Sequence, residues 1–226
     1  MSTLYKKNFF KENRCCLYCL ILFRLIGGVG LYFMEIGDML LFFSNNRTRF
    51  GDLFFSYFTK MGEAPAYVLA LLVLIFFAYR YVIFLPLIGL VVTYVAFITK
   101  AYFKHPRPFL YYRELDLFDQ INVLENIELH GGANSFPSGH TMSAFALYAF
   151  VAFCLPYKKY AGVLLFLFAL LVGLSRVYLV QHFFKDVYLG AIMGVLIAMI
   201  LHRAQGYLSN HPDKWWNKAV RLKSKS

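Results

Sequence analysis

The chain is poor in charge, and poorest in acid. Only 15% of its 226 residues are Asp, Glu, Lys or Arg, while 60% are hydrophobic; soluble domains run at about 25% and roughly 45 to 50%. That shortage excludes an ordinary water-soluble globule and leaves a membrane protein, and the length suits one domain over residues 1–226. Acids number 12 against 23 Lys and Arg, a net charge of +11. The basic residues sit in short segments between apolar runs and not along one helical face, so no nucleic acid is expected as a partner. Anionic membrane lipids are. Cysteine is also scarce: Cys15, Cys16, Cys19 and Cys154 lie in or beside apolar runs, which is no disulfide framework. The lone Cys16-x-x-Cys19 has no second pair and no histidine nearby, so small buried hydrophobes are expected rather than a metal or redox site. Acylation of Cys15 or Cys16 is only weakly signalled. No A-x-A-like site closes the first apolar run, which favours an uncleaved helix over a removed signal peptide.

What is present is a series of apolar runs. At roughly 20 residues per crossing, an all-α bundle of six spans is expected, over about 15–34, 64–78, 82–103, 139–155, 160–180 and 182–201. Arg24 interrupts the first run and is expected to face other helices, to pair with an acid or to mark a shorter span. The aromatic stretch 50–58 reads as a helix in the membrane interface. Tyr79-Arg80-Tyr81 and Pro156-Tyr157-Lys158-Lys159 read as tight turns. Gly190 and Gly194 form a GxxxG, a helix contact from which no dimer follows. Oligomeric state is not inferred.

Residues 109–134 form the longest polar stretch, with Glu114, Asp116, Asp119, Glu125 and Glu128 against the base Arg113. It is expected as an external loop. Lys6, Lys7, Lys11 and Arg14, then Arg80, Lys158-Lys159 and the basic tail 203–226 fall on the other side, with Trp215-Trp216 as an interfacial anchor. Positively charged flanks stay in the cytoplasm. Six spans with both termini cytoplasmic then bring Lys100, Arg107, His140, Arg176 and His182 to the external face.

Those residues have the chemistry of a phosphate site. Arg107 and Arg176 each offer a planar fork to phosphate oxygens, and Lys100 adds a point charge. Pro106 and Pro108 should end the third span and fix the direction of Arg107. Lys104 and His105 add to the field or meet headgroups. Pro137-Ser138-Gly139-His140 reads as a helix entry whose amides and Ser138 hydroxyl face an anion. His182 and Asp186 stand four apart, so on one helix the carboxylate holds one imidazole nitrogen and leaves the other as nucleophile. The expected product is a phosphohistidine, with His140 protonating the leaving oxygen and then activating water. Three cations beside these groups would repel a divalent ion, so no metal and no cofactor are expected.

In order and spacing these residues resemble the three-part signature of the type 2 phosphatidic acid phosphatase superfamily, which includes glucose-6-phosphatase and the vanadium haloperoxidases. Lys, six residues, Arg-Pro is met by Lys100, Arg107 and Pro108; Pro-Ser-Gly-His by residues 137–140; Ser-Arg, five residues, His, three residues, Asp by Ser175, Arg176, His182 and Asp186. The resemblance implies a metal-independent lipid phosphate phosphatase of a bacterial inner membrane, with its site at the outer leaflet. It implies His182 as nucleophile, Asp186 as its orienting partner and His140 as general acid and base. It assigns Lys100, Arg107, Ser138, Gly139 and Arg176 to phosphate. Small members act on undecaprenyl pyrophosphate, phosphatidylglycerophosphate or lipid A phosphate, and the motifs do not choose among them. Rival readings are a non-enzymatic membrane anion-binding or transport protein and a vanadate haloperoxidase. Against the first stand His182 and Asp186; against the second stand the apolar spans. Phe109, Tyr111 and Tyr112 are candidates for seating a lipid chain at the pocket mouth.

Overall fold

The computed structural model describes residues 9–125 and 127–220. Among these residues ten α-helices follow in order: α1 Phe9–Glu12, α2 Arg14–Phe33, α3 Asp38–Asn45, α4 Arg49–Phe58, α5 Ala64–Leu74, α6 Tyr79–Phe103, α7 Pro108–Glu114, α8 Gly139–Cys154, α9 Lys158–Tyr178 and α10 Phe184–Leu208. Short 3-10 turns cover Thr59–Gly62, Phe118–Gln120 and Trp215–Asn217, and the described residues contain no strand. The fold is an all-helical bundle.

Each of the six apolar runs forms a helix, but their lengths differ. Among the described residues four stretches are long and apolar enough to cross a membrane: α2, the stretch opening with α6, α9 and α10. The other two, α5 and α8, have 11 and 16 residues. At about 1.5 Å per residue they reach roughly 16 and 24 Å, short of a hydrocarbon core of about 30 Å. Helix α8 makes up in burial what it lacks in length. It is apolar on every side, as a helix enclosed by others must be, with 13 buried residues from Thr141 to Cys154. Helices α10, α9 and α6 surround it. Gly190 and Gly194 let α10 press against it: a Cβ at Gly190 would stand 2.8 Å from Ser138 O, and one at Gly194 2.8 Å from Phe145 Cβ. The GxxxG is therefore spent inside the molecule.

Several expectations are corrected. Tyr79-Arg80-Tyr81 is not a turn but the start of α6, because the chain reverses earlier, between Leu74 and Tyr79. His182 is not helical; Phe183 caps α10, which then runs to Leu208, through the head of the expected tail. Within 109–134 the chain forms α7 and a 3-10 turn, since Pro108 suits a first helical turn. Its five acids are all exposed. Arg24 is exposed on an unbroken α2, so it neither faces other helices nor shortens that span. Cys16 and Cys154 are buried as expected, but Cys15 and Cys19 are only half-buried. Tyr112 is buried with Leu40 and Phe183 in a second small core and lines no open mouth. Lys6, Lys7, Arg221, Lys223 and Lys225 lie outside the described residues.

Candidate active site

Three chain junctions meet at one end of α8: the turn from α6 to α7, the approach to α8, and the link between α9 and α10. Helix α6 ends where Lys104 takes a left-handed conformation, φ 46°. Three residues later Arg107, extended as a residue before proline tends to be, caps α7. Its amide donates to Gly132 O at 2.9 Å, its Nε to Asn134 Oδ1 at 2.6 Å and its Nη1 to Gln181 O at 3.5 Å. The first motif is thereby fastened to the third. Lys100 lies in the last turn of α6, with Nζ 4.0 Å from where a Cβ on Gly139 would stand. That is ordinary contact distance, so the ammonium lies beside the Gly139 backbone, which the missing side chain leaves approachable.

Ser138 caps α8, its hydroxyl oxygen accepting from Thr141 N at 3.4 Å and from Thr141 Oγ1 at 2.9 Å. The Ser138 proton stays available to an anion, beside the amide groups at the positive end of the helix. The Phe136-Pro137 peptide bond is cis. Arg176 is buried in the last turn of α9; Nη1 donates to Thr59 Oγ1 at 2.8 Å, while Nε is buried without a hydrogen-bond partner. An unsatisfied guanidinium donor inside a protein is costly, and an anion would satisfy it.

His182 is 2% exposed. Its amide donates to Arg176 O at 3.1 Å, and its Nδ1 lies 3.3 Å from Asp186 Oδ2. The pair meets, but not through a shared helix face. Asp186 sits at the third position of α10 and turns back over the helix start, where Oδ2 also accepts from Phe183 N at 3.0 Å. One carboxylate thus caps the helix and holds the imidazole. Ser135 Oγ donates to the same oxygen and stands 3.3 Å from His182 Nδ1. Burial pushes the His182 pKa down to about 3, outweighing the Asp186 contact that opposes it. The ring is therefore uncharged at neutral pH, with Nδ1 tied down and Nε2 presenting its lone pair. That is the state a nucleophile requires.

His140, in the first turn of α8, is the more open of the two histidines. Its Nε2 donates to Glu63 Oε1 at 2.9 Å. All the expected residues, Lys100, Arg107, Ser138, Gly139, His140, Arg176, His182 and Asp186, belong to this one end of the bundle. Of the two peripheral bases, His105 Nδ1 is 3.5 Å from Lys185 Nζ, and Lys104 is exposed. Among the described residues no three of His, Cys, Asp and Glu gather as a metal donor set. Sequence reasoning missed Thr59, Glu63, Asn134, Ser135 and Gln181. Asn134 and Ser135 stand just before the Pro-Ser-Gly-His string and were within reach of it; Thr59 and Glu63 carry no local signal.

A family model described as the PAP2 superfamily matches residues 68–209. Phosphatidylglycerophosphatase B of Bacillus subtilis (strain 168) is 37% identical over 81 residues, 32% of this chain and 40% of that protein. Undecaprenyl-diphosphatase BcrC of the same organism is 30% identical over 125 residues, 55% of this chain and 56% of that protein. The chain thus spans about two fifths of one curated relative and little more than half of the other. The crystal structure of Aquifex aeolicus LpxE superposes with a TM-score of 0.63 at 30% identity, covering 76% of this chain and 96% of that one.

Proposed function

Because the chain belongs to the PAP2 superfamily, we propose that it is a lipid phosphatase: a multi-pass membrane hydrolase that removes phosphate from a lipid phosphomonoester or pyrophosphate without a metal or other cofactor. The contact between His182 and Asp186 carries this reading. Anion binding or transport has no use for an uncharged, oriented imidazole beside three cations.

Phosphoryl transfer depends mainly on positioning and on neutralising charge at the phosphate oxygens. Arg107 and Arg176 grip those oxygens with Lys100, and the Ser138 hydroxyl and Gly139 amide add donors. His182 Nε2 attacks phosphorus as the bond from phosphorus to the leaving oxygen breaks. His140 gives that oxygen its proton, so an alcohol leaves, or a lipid monophosphate when the substrate is a pyrophosphate. Water then attacks the phosphohistidine, His140 takes a proton from it, and the phosphorus–nitrogen bond breaks. Inorganic phosphate departs, and both imidazoles return to their first state.

The site is assigned to the external face of a bacterial inner membrane, with both termini cytoplasmic and six membrane segments. Supporting this, Arg80, Lys158, Lys159 and Arg203 line one cavity of about 1360 Å³, whereas five exposed acids, Glu114, Asp116, Asp119, Glu125 and Glu128, cluster in the segment between Arg107 and Ser138. The positive charges belong inside.

Undecaprenyl pyrophosphate and phosphatidylglycerophosphate are the favoured substrates, by the names of the two curated relatives. A lipid A phosphate is the alternative. Purified protein in detergent, offered each of these lipids and phosphatidate, is expected to release inorganic phosphate from at least one, with chelator present or absent. Release from none overturns the enzymatic reading, and abolition by chelator overturns the metal-free one.

A further inference from the structure

The turn before α5 reaches the site from outside the signature. Thr59–Gly62 is wedged between α8 and α9, and three contacts fix it. Thr59 Oγ1 accepts from Arg176 Nη1 at 2.8 Å, and Tyr148 OH donates to Met61 O at 2.8 Å. A Cβ on Gly62 would stand 2.7 Å from Val172 Cγ1 and 3.4 Å from His140 O, so glycine lets the turn lie flat against both helices. The next residue, Glu63, caps α5. Its backbone is thus held, and its carboxylate meets His140 Nε2 at 2.9 Å.

We propose that Glu63 is the positioning residue of His140, doing for the proton-transferring imidazole what Asp186 does for the nucleophile. The inference rests on the phosphatase reading above. A carboxylate only accepts, so Nε2 must carry the proton directed at it. The ring is then fixed in orientation, and Nδ1 is the atom that exchanges a proton with the leaving oxygen and later with water. While His140 holds both protons it is a cation within electrostatic range of Arg176 and Lys100. Glu63 is the anion in contact with it, and offsets that repulsion at the moment the charge is present. At side-chain exposures of 36% and 46% the pair is open to solvent, so little of the fold's stability depends on it. Its value is to the reaction.

Three variants test this on the full-length protein: Glu63→Gln, Glu63→Asp and His140→Ala. A lipid phosphomonoester has an alkoxide leaving group that needs a proton; p-nitrophenyl phosphate leaves without one. Glu63→Gln is expected to lower kcat/KM, which reports only the steps up to the phosphohistidine, at least tenfold on the lipid and much less on the aryl ester, while breakdown of the phosphohistidine slows alike for both. His140→Ala should show the same selectivity more strongly, the double variant should be no worse than His140→Ala, and Glu63→Asp should recover part of the loss. Equal losses on both substrates, or full additivity with His140→Ala, overturn the proposal. Nitrogen-15 NMR of labelled histidine, which needs no turnover, decides independently. The His140 ring signals should move in Glu63→Gln while those of His182 stay, and unmoved His140 signals refute the contact. Wild-type protein that releases phosphate from no substrate sinks the phosphatase reading instead, and the NMR result still tells whether Glu63 holds His140.

Discussion

The backbone amide of Ser138 donates to the carbonyl oxygen of Asp186 at 3.0 Å. This bond joins the start of α8 to the start of α10, so two helix N-termini converge where the cations gather. Their dipoles favour an anion at that point. The second and third parts of the signature, far apart in sequence, are tied by one main-chain contact.

Ser135 is the test of whether Asp186 must itself be held. Its hydroxyl donates to Asp186 Oδ2 and it is fully buried. A hydrogen bond to a charged acceptor is worth about 1.5 to 3 kcal/mol, which is roughly a 10- to 100-fold rate effect if it is felt only in the transition state. Ser135→Ala should therefore lower kcat by at least tenfold with KM close to unchanged, in steady-state phosphate release. An unaltered kcat would show that the Phe183 amide and His182 suffice to orient the carboxylate.

Acid sensitivity follows from the His182 imidazole, which burial holds near a pKa of about 3, against roughly 6.5 in an unfolded chain. Below the unfolded value the unfolded state binds a proton that the folded state refuses. Stability attached to this residue is thus intact above about pH 6.5 and falls as pH drops toward 3. His182→Gln removes that titration. Between pH 7 and pH 5 the wild type should lose more Tm than His182→Gln in the same detergent; an equal or smaller loss contradicts the burial argument. The His182 imidazole itself stays uncharged throughout that range, so its protonation cannot shape an acid limb of activity there.

Packing of α10 on α8 has its own test. A Cβ at Gly194 would meet Phe145 Cβ at 2.8 Å, whereas one at Gly89 on α6 would meet nothing within 4 Å. Gly194→Leu should lower Tm by several degrees and reduce activity, since overpacking costs about 1 to 3 kcal/mol and moves the start of α10. Gly89→Leu should leave both nearly unchanged. A Gly194→Leu protein as stable as Gly89→Leu would show that the two helices pack less closely.

The sequence carried the fold where a run was strongly apolar, and it singled out side chains that the structure gathers at one end of the bundle. Arg107, His140, Arg176, His182 and Asp186 were legible because few residues can bind or attack a phosphate. The helical ends were less so. His182 was placed on a helix by its spacing to Asp186, yet the spacing works because Asp186 folds back as a cap. Tyr79 and Arg80 looked like turn residues, but the reversal occurs in the apolar stretch before them, where composition gives no punctuation. Arg24 was expected to face other helices, to pair with an acid or to mark a shorter span, because charge is expensive beside lipid, and local sequence does not report which face of α2 is turned outward. Glu63 and Thr59 were invisible because their partners are distant in sequence, and only packing of the Thr59–Gly62 turn brings them in.

The most direct test of the central claim is to look for phosphate on His182 itself. Protein mixed with a lipid substrate labelled with phosphorus-32, quenched in alkali within milliseconds and digested, should yield one labelled peptide containing His182, stable to base and lost in acid. His182→Gln should yield none, and His140→Ala should lose label from its peptide more slowly than wild type. Label on another residue, or phosphate release with no labelled peptide at any quench time, would contradict a mechanism that passes through this histidine.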